Sequence, residues 1–154
     1  MQFHNSGHIN DENKFEKRTV DSIVVEFEDA NKFNLLKIDT DGHDFEVIRG
    51  SRDFIISMQP FVYFEVDSFS NSDFAADCIE TLNFFNIAGY GKVFIYDNYG
   101  YLIGVYSTED IYTISQLLFY KSLKTHFYYD FLFMKNDFVD EFYACEVEYF
   151  KEVI

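Results

Sequence analysis

Acidic residues crowd one short segment of the chain, LKIDTDGHDFEVIRG at positions 36–50. Three aspartates, a glycine and a histidine follow there directly on a short apolar run. Carboxylates in such a position can orient a hydroxyl group, accept its proton or bind a cation. The segment therefore predicts the rim of an enzyme pocket. Its candidate residues are Asp39, Asp41, Gly42, His43 and Asp44.

A second carboxylate stands in a comparable place. Glu65 lies near the end of the apolar run at 61–66, as Asp39 ends the run at 34–39. Both runs have the length and composition of buried strands. In open α/β sheets, ligands bind outside the carboxyl ends of such strands. We therefore expect Asp39 and Glu65 to face one shared cavity.

A calcium-binding loop is the first alternative for the acidic segment. The EF-hand loop needs oxygen ligands at positions 1, 3, 5 and 12, with glycine at position 6. With Gly42 at position 6, Asp39 and Asp41 fall on suitable positions. Lys37 and Ile48 then occupy positions 1 and 12, and neither can bind calcium. The pattern speaks against this type of loop.

A phosphatase is the second alternative. The segment DTDG at 39–42 resembles the nucleophile loop of the haloacid dehalogenase family, in which the first aspartate attacks phosphorus. The resemblance ends at His43, where that family usually has threonine. No lysine in a suitable context and no paired-acid magnesium motif follows downstream. This class of enzyme stays a third hypothesis.

Periodicity and capping residues predict the elements that must position these side chains. Thr19 caps a short helical turn, Gly50 interrupts a helix, Ser72 caps a third helix and Gly89 ends it. The apolar stripe of that third helix is Ala75, Cys78, Ile79, Leu82 and Phe85. In chain order, the prediction is a turn at 20–25, a strand at 34–39, a helix at 43–58, a strand at 61–66, a helix at about 72–89, a hairpin at 92–97 and 101–106, a helix at 110–124, a strand at 128–134 and a helix at 137–151.

This order predicts an α/β fold in one domain, residues 1–154, with an irregular lead-in at 1–18. Two strand–helix units in succession favour a mostly parallel sheet with helices on both faces. We expect the hairpin and the late antiparallel strand to close one edge of that sheet.

Composition excludes several classes of partner. The net charge of −15 would repel a nucleic-acid backbone or an anionic membrane surface. The chain has no apolar run long enough for a signal peptide or a spanning helix, which predicts a cytoplasmic protein. Cys78 and Cys145 are predicted to be two buried, reduced thiols.

The span from Val20 to Val66 resembles the FkbM family of S-adenosylmethionine-dependent methyltransferases. The family's turn, its Lys-Ile-Asp strand and its acidic glycine turn are matched by TVDSI at 19–23, KID at 37–39 and DGHD at 41–44. Its helix end and its proline-led strand are matched by EVIRG at 46–50 and PFVYFE at 60–65. The passage FNIAGY at 85–90 and the strand YDFLF at 129–133 extend the likeness to about residue 135.

The resemblance implies a Rossmann-like class I methyltransferase fold and S-adenosylmethionine as cofactor. It implies methyl transfer to a hydroxyl group of a small molecule or glycan. Carried over residue by residue, the catalytic positions are Asp39, Asp41, Asp44 and Glu65. Asp39 and Gly42 contact the cofactor, and no metal is expected. Asp41 and Asp44 replace glutamates that are commoner in the family.

The chain departs from the family at its N-terminal end. The family's glycine-rich cofactor loop follows its first strand, whereas Gly7 is the only glycine before Leu35 here. We therefore expect an N-terminally truncated form that lacks the first cofactor-binding strands. An upstream segment or another chain would supply them. The alternative from another functional class is a non-catalytic α/β interaction module that retains half of the fold.

Overall fold

A computed structural model describes residues 17–68, 71–123 and 127–153. Gly7 and nearly all of the predicted lead-in lie outside these residues. The helices are α1 (Val20–Val24), α2 (Asp44–Arg49), α3 (Arg52–Met58), α4 (Phe74–Ile87), α5 (Ile111–Ser122) and α6 (Asn136–Val153), with a 3₁₀ turn at Ala30–Lys32. The strands are β1 (Leu35–Ile38), β2 (Phe61–Val66), β3 (Lys92–Asp97), β4 (Leu102–Ser107) and β5 (Tyr129–Phe133).

These strands form one sheet in the order β1-β2-β5-β3-β4. Strands β1 and β2 are parallel, whereas β2–β5, β5–β3 and β3–β4 are antiparallel. Three of the five described strands thus share one direction, but only one neighbouring pair is parallel. The expectation of mostly parallel pairing is wrong, and so is the expectation that the late strand closes an edge. Strand β5 instead lies inside the sheet, between β2 and β3.

Helices cover both faces of the sheet, as predicted. The main core lies between one face and helices α2, α3, α4 and α5. At its centre, the rings of Phe85 and Phe133 stack with their centroids 3.8 Å apart. Helix α6 packs on the opposite face, where Phe142 meets Phe94 edge-on at 5.2 Å. No helix of the described residues is long and apolar enough to cross a membrane.

Helix α4 shows how capping and burial differ from the pattern read along the chain. Asp73 occupies the N-cap position instead of Ser72, and the Asn71 side chain accepts a hydrogen bond from the Asp73 backbone N–H at 2.8 Å. Gly89 follows the last turn, as predicted. The face of α4 that packs on the sheet is rotated by about one residue from the predicted stripe. Phe74 and Thr81 are therefore buried, whereas Ala75 and Ile79 are exposed.

The two cysteines differ in their exposure to solvent. Cys78 is buried on α4, as predicted, but Cys145 is exposed on α6. Helix α6 buries none of its residues fully, because it covers only part of its face of the sheet. The expectation of two buried thiols is therefore wrong for Cys145.

The helix break predicted at Gly50 lies where α1 contacts the start of α3. The Thr19 side chain caps α1 by accepting a hydrogen bond from Ser22 N at 3.1 Å, as predicted. A Cβ atom at Gly50 would lie 3.1 Å from the Thr19 side chain, so glycine permits this close packing. The carboxylate of Asp21, in the first turn of α1, accepts hydrogen bonds from Phe54 N at 2.9 Å and Asp53 N at 3.3 Å. Asp21 therefore caps α3 from outside that helix.

We expect Asp21→Ala to lower the free energy of unfolding by about 1–2 kcal/mol, because two N–H groups at the start of α3 lose their acceptor. Asp21→Asn keeps an acceptor oxygen and should recover most of that loss. Urea unfolding of both variants measures the difference. Equal losses in the two variants would show that the charge matters and the cap does not.

Candidate active site

The first predicted site residue, Asp39, lies directly after β1. It stands one residue beyond the last β1–β2 pair, Ile38 and Phe64, and so at the level of Glu65. Its side chain is 59% exposed, and its carboxylate accepts a hydrogen bond from Lys37 Nζ at 2.9 Å. The structure thus places Asp39 at the carboxyl end of a strand, available to a ligand and held by one ammonium group.

A left-handed turn redirects the chain from β1 into α2. Asp41 has φ of +50° and Gly42 has φ of +99°. Aspartate tolerates the left-handed region, and the value at Gly42 suits glycine. The tight turn predicted at Gly42 is therefore confirmed. The side chain of Asp41 is exposed, and no hydrogen bond of the described residues holds it.

Asp44 is the buried member of the predicted set. It opens α2 with only 3% of its surface exposed. One carboxylate oxygen, Oδ2, accepts a hydrogen bond from Gly42 N at 3.4 Å. The other, Oδ1, is enclosed and has no hydrogen-bond partner in the described part of the chain. Burial raises the pKa of Asp44, and the polar groups of the turn oppose that rise.

Glu65 lies on β2, half-buried among other acids. Burial raises the pKa of Glu65 to about 7, and four carboxylates add to the rise. In order of effect, they belong to Asp67, Asp130, Asp44 and Asp39. Asp39, Asp44 and Glu65 therefore form one electrostatic group at the carboxyl ends of β1 and β2. We call Asp39, Asp44, Glu65 and Asp130 the acid rim.

Sequence reasoning missed Asp130 as a site residue. It lies on β5 and is the direct cross-strand partner of Glu65. Burial raises the pKa of Asp130, the Tyr63 side chain opposes the rise, and Asp39 adds to it. A signal existed, because Asp130 is the one charged residue in the apolar run YYDFLFM at 128–134. The pairing itself joins residues 65 positions apart and has no local signature.

A buried ion pair supports the loop that follows β2. Lys121 on α5 is 1% exposed and forms an ion pair with Asp67. Its ammonium group also donates to Ser68 Oγ at 2.8 Å and lies 5.2 Å from the ring centroid of Phe74. The pair anchors the segment two residues beyond Glu65 to α5.

Two further features bear on ligands. Among the described residues, no group of three or more histidine, cysteine, aspartate or glutamate side chains is arranged to hold a metal ion. The outer edge of β1 pairs with no strand of the described chain, and Leu35 there is 60% exposed. The side chain of His43 is exposed, and its Nδ1 lies 3.9 Å from Oε2 of Glu46. This environment is typical of a surface residue.

The fold belongs to the α/β class, and open sheets of that class bind ligands outside the carboxyl ends of their strands. A sequence model described as "Methyltransferase FkbM domain" matches residues 1–94. The chain belongs to the FkbM methyltransferase family. No curated protein and no solved structure matched the chain. The likeness noted from residue 95 to about residue 135 lies beyond the match and stays a prediction.

The raised pKa of Glu65 predicts a pH-dependent stability. The unfolded chain ionises Glu65 near 4.5 and the folded protein near 7, so folding opposes its ionisation. This group's contribution to stability is therefore highest below 4.5, falls as the pH rises toward 7, and stays low above that. We expect Glu65→Gln, which cannot ionise, to raise the melting temperature clearly at about pH 8.5 and much less at about pH 5.5.

Thermal unfolding at the two pH values checks this expectation. Asp140→Asn serves as the control, since Asp140 is an exposed acid on α6. An equal shift at both pH values for Glu65→Gln would contradict the assignment.

The Lys121–Asp67 pair gives a second prediction for this region. Lys121→Met should lower the free energy of unfolding by about 2–3 kcal/mol, less than for a fully buried pair, because Asp67 keeps some contact with water. Lys151→Met removes the exposed ion pair with Glu148 on α6 and should change little. Denaturant unfolding compares the two variants. Similar small effects of both would show that burial does not strengthen the Lys121–Asp67 contact.

Proposed function

We propose that this protein is an S-adenosylmethionine-dependent methyltransferase that methylates a hydroxyl group of a small molecule or sugar. The observation that carries the proposal is the position of the family segment at 37–50. It forms the end of β1, the left-handed turn and helix α2, and the charges of its Asp39 and Asp44 act on Glu65. This edge of the sheet is where open α/β folds bind their ligands.

The chemistry of the acid rim fits such a cofactor. When bound, S-adenosylmethionine supplies a methyl group on a sulfonium cation. A group of carboxylates suits a ligand that carries a sulfonium and an amino group, and the enclosed Oδ1 of Asp44 still lacks a donor among the described residues. The backbone at Gly42 permits close approach of a ligand. Asp39 and Gly42 are therefore the residues proposed to hold it.

The acceptor hydroxyl is proposed to lie against Asp39 and Glu65. Methyl transfer is an in-line displacement, so fixing the direction of the attacking oxygen supplies much of the acceleration. Asp39 can accept a hydrogen bond from that hydroxyl, because its side chain is exposed and its only described partner is Lys37. Asp41 extends the same rim and is proposed to contact the substrate.

We also propose that strands from an upstream segment or another chain complete the cofactor site. The outer edge of β1 offers unpaired backbone groups beside the exposed Leu35. In the family's fold, the strand that carries the glycine-rich loop would pair at this position.

A non-catalytic interaction module is the second candidate function. Its support is an exposed apolar surface near the same edge, where Phe27 and Phe33 contact each other edge-on at 5.8 Å. Such a surface fits a protein partner as well as it fits missing strands. Cofactor binding discriminates between the two candidates.

The test uses the protein as its native gene encodes it. We expect S-adenosylmethionine to bind in calorimetry and to be converted to S-adenosylhomocysteine when small alcohols and methyl glycosides are offered as acceptors. Asp39→Asn should lower the rate of methyl transfer by about tenfold or more, because the hydroxyl loses its orienting carboxylate. Asp140→Asn should leave the rate unchanged.

Absence of cofactor binding would favour the interaction module. Unchanged turnover in Asp39→Asn would remove Asp39 from the mechanism.

A further inference from the structure

Two carboxylates face each other in the interior of the sheet. Glu65 on β2 and Asp130 on β5 are direct cross-strand partners and project from the same face. Side chains so placed have Cβ atoms about 4.5–5.5 Å apart, and like charges there destabilise the pair. Both side chains are half-buried, so the repulsion between two ionised carboxylates must be offset by another group.

One cation of the described residues acts on the pair, since the charge of Lys37 lowers the pKa of Asp130. The ammonium group of Lys37 is bound to Asp39, and that of Lys121 is bound to Asp67 and Ser68. Neither Glu65 nor Asp130 forms an ion pair in the part of the chain that the structure describes.

The uncharged neighbours help Asp130 and not Glu65. The Tyr63 side chain forms a hydrogen bond with Asp130 that lowers the pKa of Asp130. Tyr96 stands opposite Asp130 on β3, but its hydroxyl donates to Glu146 at 3.0 Å. The titratable groups that act on the pair are, by element, Lys37 on β1 and Asp39 after it, Asp44 on α2, Tyr63 on β2 and Asp67 after it, and Tyr128 before β5. Three of these six groups are carboxylates, and they raise the pKa of Glu65, for which no described group opposes the rise.

A proton is therefore the simplest compensation. Two close carboxyl groups that cannot both ionise hold one proton between them. Burial raises the pKa of both groups, which agrees with this arrangement.

Asp44 independently indicates that a ligand belongs beside the pair. Its side chain is almost fully buried, its Oδ1 has no partner among the described residues, and its charge acts on both Glu65 and Asp130. A buried acceptor without a donor is costly unless a ligand or a proton satisfies it. A ligand that brings a hydroxyl or ammonium donor to this rim would do so.

We propose that Glu65 and Asp130 form a carboxyl dyad that shares one proton and accepts the proton of the acceptor hydroxyl during methyl transfer. The role in methyl transfer rests on the proposed function; the shared proton does not. As the oxygen–methyl bond forms and the sulfur–methyl bond breaks, the hydroxyl proton passes to the ionised oxygen of the dyad. The donor leaves as a neutral thioether, and the dyad later releases the proton to water. Asp130, on β5, thereby becomes a catalytic residue alongside Glu65.

Carbon-13 NMR titration of the side-chain carboxyl groups tests the dyad without cofactor or substrate. We expect Glu65 and Asp130 to titrate in two coupled steps, with the step seen mainly at Glu65 near 7. Asp130→Asn should lower the Glu65 midpoint by about half a pH unit, and Glu65→Gln should lower that of Asp130. Asp140→Asn is the matched control and should move neither. Independent titration of the two groups in folded variants would overturn the dyad.

Turnover by the native-length protein tests the catalytic role, with S-adenosylmethionine as donor and methyl glycosides as acceptors. We expect Glu65→Gln and Asp130→Asn each to lower kcat by roughly 10²-fold, within the range for general-base catalysis. The affinity for S-adenosylmethionine should stay within a few-fold of the wild type. Coupled titration with unchanged kcat would overturn the role in proton transfer and leave the proposed function intact. Failure of the wild type to bind S-adenosylmethionine would overturn the proposed function and the dyad's role in it, whatever the titration shows.

Discussion

The insertion of β5 between β2 and β3 is the constraint on which the rest of the structure depends. It pairs antiparallel with both neighbours and brings Phe131 and Phe133 into the centre of the main core. The same strand carries Asp130 to the cross-strand position of Glu65. Because side chains alternate along a strand, the register that buries the phenylalanines on one face presents Asp130 on the other. Packing of the core and composition of the acid rim are therefore fixed together.

The core can support this electrostatic cost because it is built from stacked aromatic rings. Phe64 and Phe85 pack on Phe133 with nearly parallel planes, and Tyr90 closes the stack edge-on while donating to Pro60 O at 2.8 Å. Each such ring buries a large apolar area. A rim of crowded acids is destabilising in itself, so its presence beside such a core is typical of a functional site.

Sequence predicted the elements well because their signals are local. The spacing of apolar residues and the helix-breaking or turn residues beside them lie within a few positions of each element. They predict the strand at 61–66, the hairpin strand at 92–97 and the interruption of the helix near Gly50. The predictions that failed depend on contacts between distant segments. Nothing near residue 130 shows that β5 enters the sheet next to β2, and nothing near Lys121 shows that its partner is Asp67. Cys145 was misjudged because α6 packs on only part of its face of the sheet.

The candidate site divides in the same way. Asp39 and Glu65 could be found from their places at the ends of apolar runs, and Asp44 from the acidic segment at 36–50. Their different environments could not be found in this way. Asp39 is exposed and bound to Lys37, and Glu65 is half-buried. Asp44 is buried, and its Oδ1 has no hydrogen-bond partner in the described part of the chain. An exposed carboxylate with an ammonium partner can orient a hydroxyl. A half-buried one among other acids holds a proton more tightly and can exchange it near neutral pH. The two roles proposed for this rim follow from that difference in burial, which only the three-dimensional arrangement of β1, β2 and β5 establishes.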